Sequence, residues 1–363
     1  MVFFSMHGNR ARNHIELDLE LASSDTLYCV QEIFTGDGSM MNNMKRCTVT
    51  AVMLLTAALL SAQQSWIDTA KLAHDKKGAV QVYFTRDISP AGIQKVYAAL
   101  GRKAAGKNVA VKISTGEPGG NNYLHPALIG DFVKSIKGTI VECNTAYGGG
   151  RAETAMHMQV AKDHGFTAVA KVDIMDADGS SNIPVKNGKH LKVAMLGSHY
   201  SNYDFYVILS HFKGHAMGGF GGAIKNIAIG MSSAPGKLNV HTAGKSTTSW
   251  DLPEQDDFLE SMAEDTKAVT DRLGTHILYI SVINNISVDC DCDPHPAAPD
   301  MHDIGVVASL DPVAIDQCCV DFIYAAPDGG SVQKRIERQD GTHTLDYAEQ
   351  IGLGSKSYSL VRL

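Results

Sequence analysis

Short apolar runs alternate with helical segments from residue 81 onward, and no other feature of the sequence limits the possible folds as much. The runs are rich in Val, Ile and Leu and lie at 81–84, 108–113, 139–143, 168–175, 205–210 and 276–283. Helices are expected between them, at 90–104, 126–136, 155–164 and 256–273. Strands that alternate with helices predict an α/β fold with a mainly parallel sheet and helices on both faces.

Loops rich in glycine and polar residues follow the carboxyl ends of four of these strands. They are 114–123, 144–154, 211–225 and 284–303. In a parallel sheet these ends meet at one edge, and binding sites form beyond it. We therefore expect one cleft there, covered by the irregular residues 230–250. The cleft would belong to a single α/β domain over 66–363, which could be divided into two lobes around it.

The N-terminal part of the chain has a different character. Lys45 and Arg46 follow Met44 and precede a mostly apolar run at 48–62. This run is shorter than the roughly 20 residues that span a membrane, and it has the shape of a secretory signal peptide. We interpret 44–62 as a signal peptide and 1–43 as a non-native extension, so that the protein is exported, periplasmic or secreted, if Met44 is the true start. The alternative is a cytoplasmic protein in which 48–62 is a buried helix.

Charge and cysteine content narrow the possible partners. The formal net charge is −7 and no basic patch dominates, which argues against binding of nucleic acid. No membrane contact is expected once the signal is cleaved. The seven cysteines form no C-x-x-C series, so the sequence supplies no ordinary ferredoxin cluster motif.

The segment 210–230 combines imidazole, glycine and lysine. His211 and His215 come first, Lys225 closes the glycine-rich stretch, and His241 follows it. Imidazole binds metals and titrates near neutral pH, and lysine can join an acyl or carbonyl group covalently once its pKa is depressed. The glycines that would let backbone amides approach a flat or anionic ligand are Gly218, Gly219, Gly221 and Gly222. His211 could equally be a structural histidine.

A second group of metal-capable side chains lies at 289–303. Its sequence is Asp289-Cys290-Asp291-Cys292-Asp293, and His295, His302 and Asp303 follow. Cys290 and Cys292 could share one face of an extended segment, and thiolate and imidazole suit zinc, nickel or iron. A single residue between cysteines is fewer than in closed zinc sites. Metal binding, a redox or disulfide role and a structural loop all remain open.

Other polar residues have local explanations beside the functional ones. Those after the strand at 108–113 could bind an anion or could form turns, and they are Lys112, Thr115, Glu117 and Asn121. Asp311 followed by Pro312 is typical of a helix N-terminus, with Asp311 as the cap.

Several long blocks resemble a known family. KISTGEPGGNNYLHP, VECNTAYGGGRAET, SHFKGHAMGGFGGAIKNIAIG and DCDCDPHPAAPDMHDIG identify residues 84–363 as a member of the bacterial family called domain of unknown function 362. Many members of this family carry a ferredoxin segment, and the family is often described as iron–sulfur associated. This chain lacks that segment.

The block around Lys225 also resembles, more distantly, the nickel-pincer lactate racemases. His215, Lys225 and His241 reproduce that family's intervals of ten and sixteen residues. The resemblance implies that Lys225 anchors a nickel-bearing, nicotinate-derived nucleotide cofactor, that His241 binds nickel and that His215 is a base. The second histidine of the racemases has no counterpart before Arg151, although Tyr147, His125 or His157 could substitute.

The combined interpretation is a metal- or cofactor-dependent enzyme that acts on a small carboxylate, similar to a 2-hydroxyacid racemase or epimerase. In it, Arg151 would pair with the substrate carboxylate because its planar guanidinium fits two oxygens. The alternative is a non-catalytic or redox protein that binds a metal or an iron–sulfur cluster through Cys290 and Cys292.

Overall fold

The computed structural model describes Ile67, Thr69 and residues 72–363. The signal peptide expected at 44–62 and the extension expected at 1–43 lie outside these residues and stay predictions. Within the described part, no helix is long and apolar enough to span a membrane.

Eight strands form the central sheet, and seven of them run in the same direction. The spatial order is β12 (Tyr358–Arg362), β1 (Asp75–Thr85), β11 (Gly305–Ser309), β10 (Ile277–Ile283), β7 (Phe205–His211), β2 (Val109–Lys112), β3 (Thr139–Glu142) and β4 (Val172–Ile174). β11 is antiparallel to both of its neighbours, and every other pair is parallel. The predicted mainly parallel sheet is confirmed.

Helices cover both faces of this sheet, as expected. Their bounds are α1 Pro90–Ala99, α2 Pro126–Ser135, α3 Thr154–Asp163, α4 Ala223–Ala228, α5 Ala234–His241, α6 Gln255–Leu273, α7 Pro312–Ala325, α8 Gly330–Arg338 and α9 His343–Gln350. Because side chains alternate along a strand, Val109 and Val111 join an apolar cluster with α1 and α2. On the other face, the ring of Phe84 lies 4.8 Å from that of Phe322 in α7.

Local capping sets the helix starts that the sequence predicts. Asp311 accepts hydrogen bonds from the backbone N–H groups of Val313 and Ala314, and Pro312 occupies the first turn of α7. Ser89 caps α1 in the same way through Gly92. The strand expected at 168–175 is shorter, because Phe166–Ala168 forms a 3₁₀ turn and only Val172–Ile174 pairs with β3.

The expectation that residues 230–250 are irregular is wrong for their first half. Ser233 accepts a hydrogen bond from the backbone N–H of Gly236, and Pro235 lies in the first turn, so α5 forms over Ala234–His241. The remaining strands form two hairpins outside the main sheet. They are β5 (Ser180–Pro184) with β6 (Val193–Gly197), and β8 (Lys213–His215) with β9 (Gly219–Gly221).

Candidate metal and anion site

All four loops at the carboxyl ends of the strands contribute to one cavity of about 210 Å³. The loops after β2 and β3 supply Ser114 and Tyr147, the β8–β9 hairpin supplies His215, and the loop before β11 supplies Cys290. Helices α4 and α5 complete the wall. Of the predicted site residues, the cavity brings together His215, Arg151, Lys225, Gly221, Gly222, His241, Cys290 and Cys292.

Two glycines allow the β8–β9 hairpin to lie against its neighbours. A Cβ on Gly214 would lie 2.2 Å from the carbonyl oxygen of Val288, so only glycine lets β8 approach the cysteine-bearing loop this closely. Gly219 has φ +78°, and a Cβ there would lie 2.9 Å from the Cα of Gly341. Gly219 therefore serves packing of the hairpin, whereas Gly218 donates its N–H to His215, and neither lines the cavity. Their predicted role in cofactor binding stays a prediction.

Side-chain bonds hold the cysteine-bearing loop in place. Asp291 points away from its neighbouring cysteines and pairs with Lys213 at 2.9 Å and with His211 at 2.9 Å. Burial opposes ionisation of this carboxyl, but Lys213 and His211 outweigh it and hold the pKa of Asp291 well below its usual range. His211 is thus a hydrogen-bond partner of the loop. Arg335 adds a bond to Asp289 at 3.1 Å.

Two thiols and one imidazole form the metal-capable cluster of the cavity. Donor atoms of His215, Cys290 and Cys292 all lie within 4.8 Å of one another. The side chain of Lys225 lies 3.6 Å from the sulfur of Cys290. Hydrogen bonding from Cys292 and the charges of Lys225 and Lys213 outweigh burial and lower the pKa of Cys290 well below its usual value, while the same pairing raises the pKa of Cys292. These opposite shifts favour deprotonation at Cys290 before Cys292.

His215 is a neutral hydrogen-bond donor toward the cavity. Its Nδ1 accepts hydrogen bonds from the backbone N–H groups of Gly218, at 2.9 Å, and of Met217, at 3.3 Å. The neutral ring consequently carries its proton on Nε2. Burial and the nearby charge of Lys225 lower the pKa of His215 well below its usual value. The predicted role as a base, which stays a prediction, requires Nδ1 to be released from these amides.

His241 presents the opposite nitrogen arrangement. Its Nδ1 lies 2.7 Å from the carbonyl oxygen of Lys237 and donates to it, which leaves an unprotonated Nε2. The ring stacks on Phe258 with centroids 4.9 Å apart. Burial lowers the pKa of His241 to about 4, so the ring is neutral at pH 7. A neutral ring oriented through Nδ1 is the state in which histidine binds metals, and the predicted ligand role fits it.

Arg151 lies at the cavity wall, but two carboxylates already neutralise its charge. Its Nε lies 2.8 Å from Glu117, and its Nη1 lies 3.4 Å from Glu142. Glu142 also pairs with Lys112 at 2.7 Å. Burial opposes ionisation of Glu142, but Lys112, His157 and Arg151 outweigh it and lower its pKa to about 2. Of the first-loop residues, Lys112 and Glu117 thus serve ion pairs, Thr115 bonds to Glu142 through its N–H, and Asn121 is exposed.

Sequence reasoning missed two residues that line the cavity, Glu142 and Lys237, and one that supports its wall, Asp316. Glu142 ends the apolar strand β3, and a charged residue in that position was a usable signal. Asp316 accepts hydrogen bonds from the N–H groups of Ala223 and Ile224 at the start of α4, which no local pattern indicates. Lys237, in α5, also lines the cavity.

The chain belongs to the family described as domain of unknown function (DUF362), whose profile matches residues 109–321. This confirms the membership inferred from the sequence blocks. A search among curated proteins found no match.

Two solved structures show weak similarity. The lactate racemase apoprotein from Thermoanaerobacterium thermosaccharolyticum is 14% identical, with 67% of this chain and 57% of the racemase covered at a TM-score of 0.40. A structural-genomics protein from Thermotoga maritima is 10% identical, with 69% and 58% covered at a TM-score of 0.38. The chain thus spans less than two thirds of the length of either protein. The inferred resemblance to lactate racemases is matched by this weak structural similarity, which says nothing about the site.

The residues fit a metal ion better than a cofactor joined to Lys225. Burial opposes the positive charge of Lys225, but the charges of Cys290 and Cys292 outweigh burial and raise the pKa of Lys225. The raised pKa favours the ammonium form, whereas attack on an acyl group needs the free amine. Thiolate and imidazole donors, by contrast, suit zinc, nickel or iron directly.

Proposed function

We propose that this protein is a metal-dependent enzyme that acts on a small carboxylate, in the manner of a 2-hydroxyacid racemase or epimerase. One observation carries the proposal. A thiolate and imidazole cluster, formed by His215, Cys290 and Cys292, lies at the wall of a small cavity that basic side chains also line.

Cys290 and Cys292 would hold the metal, and one imidazole would complete the donor set. His215 has a donor atom within 4.8 Å of both sulfurs, whereas His241 has an unprotonated Nε2. Three protein donors leave a position for substrate, as in catalytic zinc sites. A metal bound there would act as a Lewis acid on a substrate oxygen.

The chain's own groups would orient the substrate around that position. If His241 is the imidazole that completes the donor set, the Nε2–H of His215 can donate to a substrate hydroxyl or carbonyl oxygen, because its Nδ1 is fixed by backbone amides. Tyr147, whose hydroxyl bonds to Glu117 at 3.1 Å, closes the cavity on the side of the β3 loop. The basic wall would hold the carboxylate.

The test compares metal content and activity in three proteins purified under one protocol. They are the wild type, the double variant C290S/C292S and C318S, which removes a buried thiol of α7 that does not line the cavity. We expect about one transition-metal ion per wild-type chain. We also expect the wild type to invert at least one enantiopure 2-hydroxyacid, which chiral chromatography measures. The double variant should lose both properties and C318S should keep both. Equal metal content in the wild type and the double variant would overturn the proposal.

Two single variants then identify the imidazole ligand. H241Q and H215Q are compared for retained metal, because only the variant that removes a ligand should lose it. If both retain the metal fully, the donor set proposed above is wrong.

A second candidate is a thiol redox function, favoured by the contact between Cys290 and Cys292. The backbone N–H of Cys292 bonds to the sulfur of Cys290 at 3.4 Å, and the two sulfurs lie within 4.8 Å of each other. Two thiols would form one disulfide with release of two protons, and two electrons would pass to a disulfide oxidant such as oxidised glutathione. A metal-free protein whose mass falls by two hydrogens after this oxidant, but not in C290S/C292S, would favour this candidate.

A further inference from the structure

We infer that Lys237 binds the carboxylate of the substrate, a role that the sequence assigns to Arg151. The inference rests on the proposed function and names the contact for the anionic end of its substrate. It follows from the balance of charge around the cavity.

Every other lysine or arginine at the wall already contacts a carboxylate or a sulfur. Lys112 pairs with Glu142 at 2.7 Å, Lys213 with Asp291 at 2.9 Å, and Arg151 with two glutamates. Lys225 lies 3.6 Å from the sulfur of Cys290. Each of these four groups therefore already has a partner and is less available to bind an incoming anion.

Lys237 differs from them. It is only 6% exposed, and its Nζ donates to the carbonyl oxygen of Ser232 at 2.6 Å. No carboxylate of the described residues lies within ion-pair distance of it. Lysine is almost never buried without a partner, because a buried charge is costly unless it is paired. The ammonium group retains donors for an anion in the cavity that it lines.

Asp265 is a buried acidic group whose pKa is influenced by Lys237. Asp265 in α6 is fully buried, and neither of its carboxyl oxygens has a hydrogen-bond partner among the described residues. Burial raises the pKa of Asp265 well above its usual value, although Lys237 acts in the opposite direction. Burial thus disfavours the ionised form of Asp265, and no ion pair joins Asp265 to Lys237.

The position of Lys237 fits the geometry of a two-ended ligand. Lys237 and His241 are four residues apart in α5, so they lie on the same face of the helix, and both line the cavity. The cysteines reach the cavity from the loop before β11. A small 2-hydroxycarboxylate would thus extend from Lys237 toward the imidazole and thiolate cluster, within a volume of about 210 Å³.

The test measures binding of L-lactate by calorimetry in chelator-treated protein, so that its result does not depend on whether a metal binds. Lactamide, a neutral analogue, and inorganic phosphate serve as comparison ligands. We expect lactate to bind the wild type and K237R, and K237M to bind it about tenfold or more weakly, since hydrogen bonds to a charged group are lost. Lactamide should bind none of the three proteins measurably.

K112M is the matched control for K237M, because it removes a buried lysine that has an ion-pair partner. Without ligand, K237M should melt at the wild-type temperature or a few degrees above it, since it removes a buried charge that lacks a partner. K112M should melt lower, because it leaves Glu142 without this partner. A marked fall in the melting temperature of K237M would show a structural role and overturn the inference.

Two other results would also overturn it. One is equal lactate affinity in the wild type and K237M. The other is binding of phosphate but not of lactate, which would assign the cavity to a different class of anion. If the protein bound no metal or did not racemise any 2-hydroxyacid, the proposed function would be wrong. The measured effect of Lys237 on lactate binding would not be affected by that outcome.

Discussion

Glu142 is the residue on which the charge balance of the cavity wall depends. Its carboxylate contacts Lys112 at 2.7 Å and Arg151 at 3.4 Å, and it also accepts the backbone N–H of Thr115 at 2.9 Å. Because it is buried beside two cations, its ionised form is stabilised in the folded protein. The pKa of Glu142 accordingly falls from its ordinary value of 4.5 to about 2.

This shift predicts how stability depends on pH. A carboxyl whose pKa is lower in the folded state stabilises the fold above its unfolded pKa, and the contribution is lost as the pH falls from about 4.5 to about 2. The shift corresponds to about 3 kcal/mol. E142Q should therefore lower the free energy of unfolding by about that amount at pH 7, and the difference from the wild type should shrink below pH 4.5.

Urea unfolding followed by tryptophan fluorescence at several pH values measures the effect of E142Q. The control is E153Q, which changes an exposed glutamate at the start of α3 and should leave the curves unchanged. A difference between E142Q and the wild type that is constant from pH 7 to pH 3 would contradict the assigned role.

At the scale of elements, the contact between β8 and the cysteine-bearing loop decides whether the metal-capable cluster forms. Gly214 provides this contact, since a Cβ there would lie 2.2 Å from the carbonyl oxygen of Val288. G214A should push the loop away from His215, destabilise the fold by about 1–3 kcal/mol through overpacking and weaken metal binding about tenfold or more. Urea unfolding and titration with Co²⁺, followed by thiolate absorption bands, measure both effects.

The matched control for G214A is G148A, because a Cβ on Gly148 would meet no atom within 4 Å. G148A should retain wild-type stability and Co²⁺ affinity. If G214A bound Co²⁺ as tightly as G148A, the approach of β8 to the loop would not be what assembles the cluster.

At the scale of the whole molecule, the last strand, β12, forms one edge of the sheet and covers β1. β12 pairs with β1, and its residues Tyr358 and Leu360 are 0% and 7% exposed. The hydroxyl of Tyr358 also donates to Asp321 at 2.8 Å. A chain that ends at Lys356 should lose about 3–6 kcal/mol of stability, because two large side chains lose their burial, and it should aggregate through the exposed edge of β1.

Soluble yield and urea midpoint measure this effect, with a chain that lacks only Leu363 as the control. Leu363 is 38% exposed, so its removal should change the midpoint little. An unchanged midpoint in the chain ending at Lys356 would show that the sheet is stable without β12.

Local sequence signals determined the fold class and the position of the site. The alternation of strands and helices arises from side-chain periodicity, and helix starts such as Ser89 and Asp311 arise from bonds to the next turn, so neighbouring residues suffice to predict them. The carboxyl ends of parallel strands meet at one edge whatever their order. For that reason the loop with His215 and Lys225 could be placed at the cleft from the sequence. His241 was added through the resemblance to lactate racemases, and the chemical roles of all three stay predictions.

Long-range contacts decided which groups in the site are free to act. Cys290 and Cys292 are more than seventy residues from His215, and only the packing of the loop against Gly214 brings their donor atoms together. Charge pairing is equally non-local, since Glu117 and Glu142 occupy Arg151 while Lys237 has no anionic partner among the described residues. A sequence shows which side chains carry charge. Only the tertiary structure shows which charges are already neutralised, because that depends on distances and burial across the whole fold.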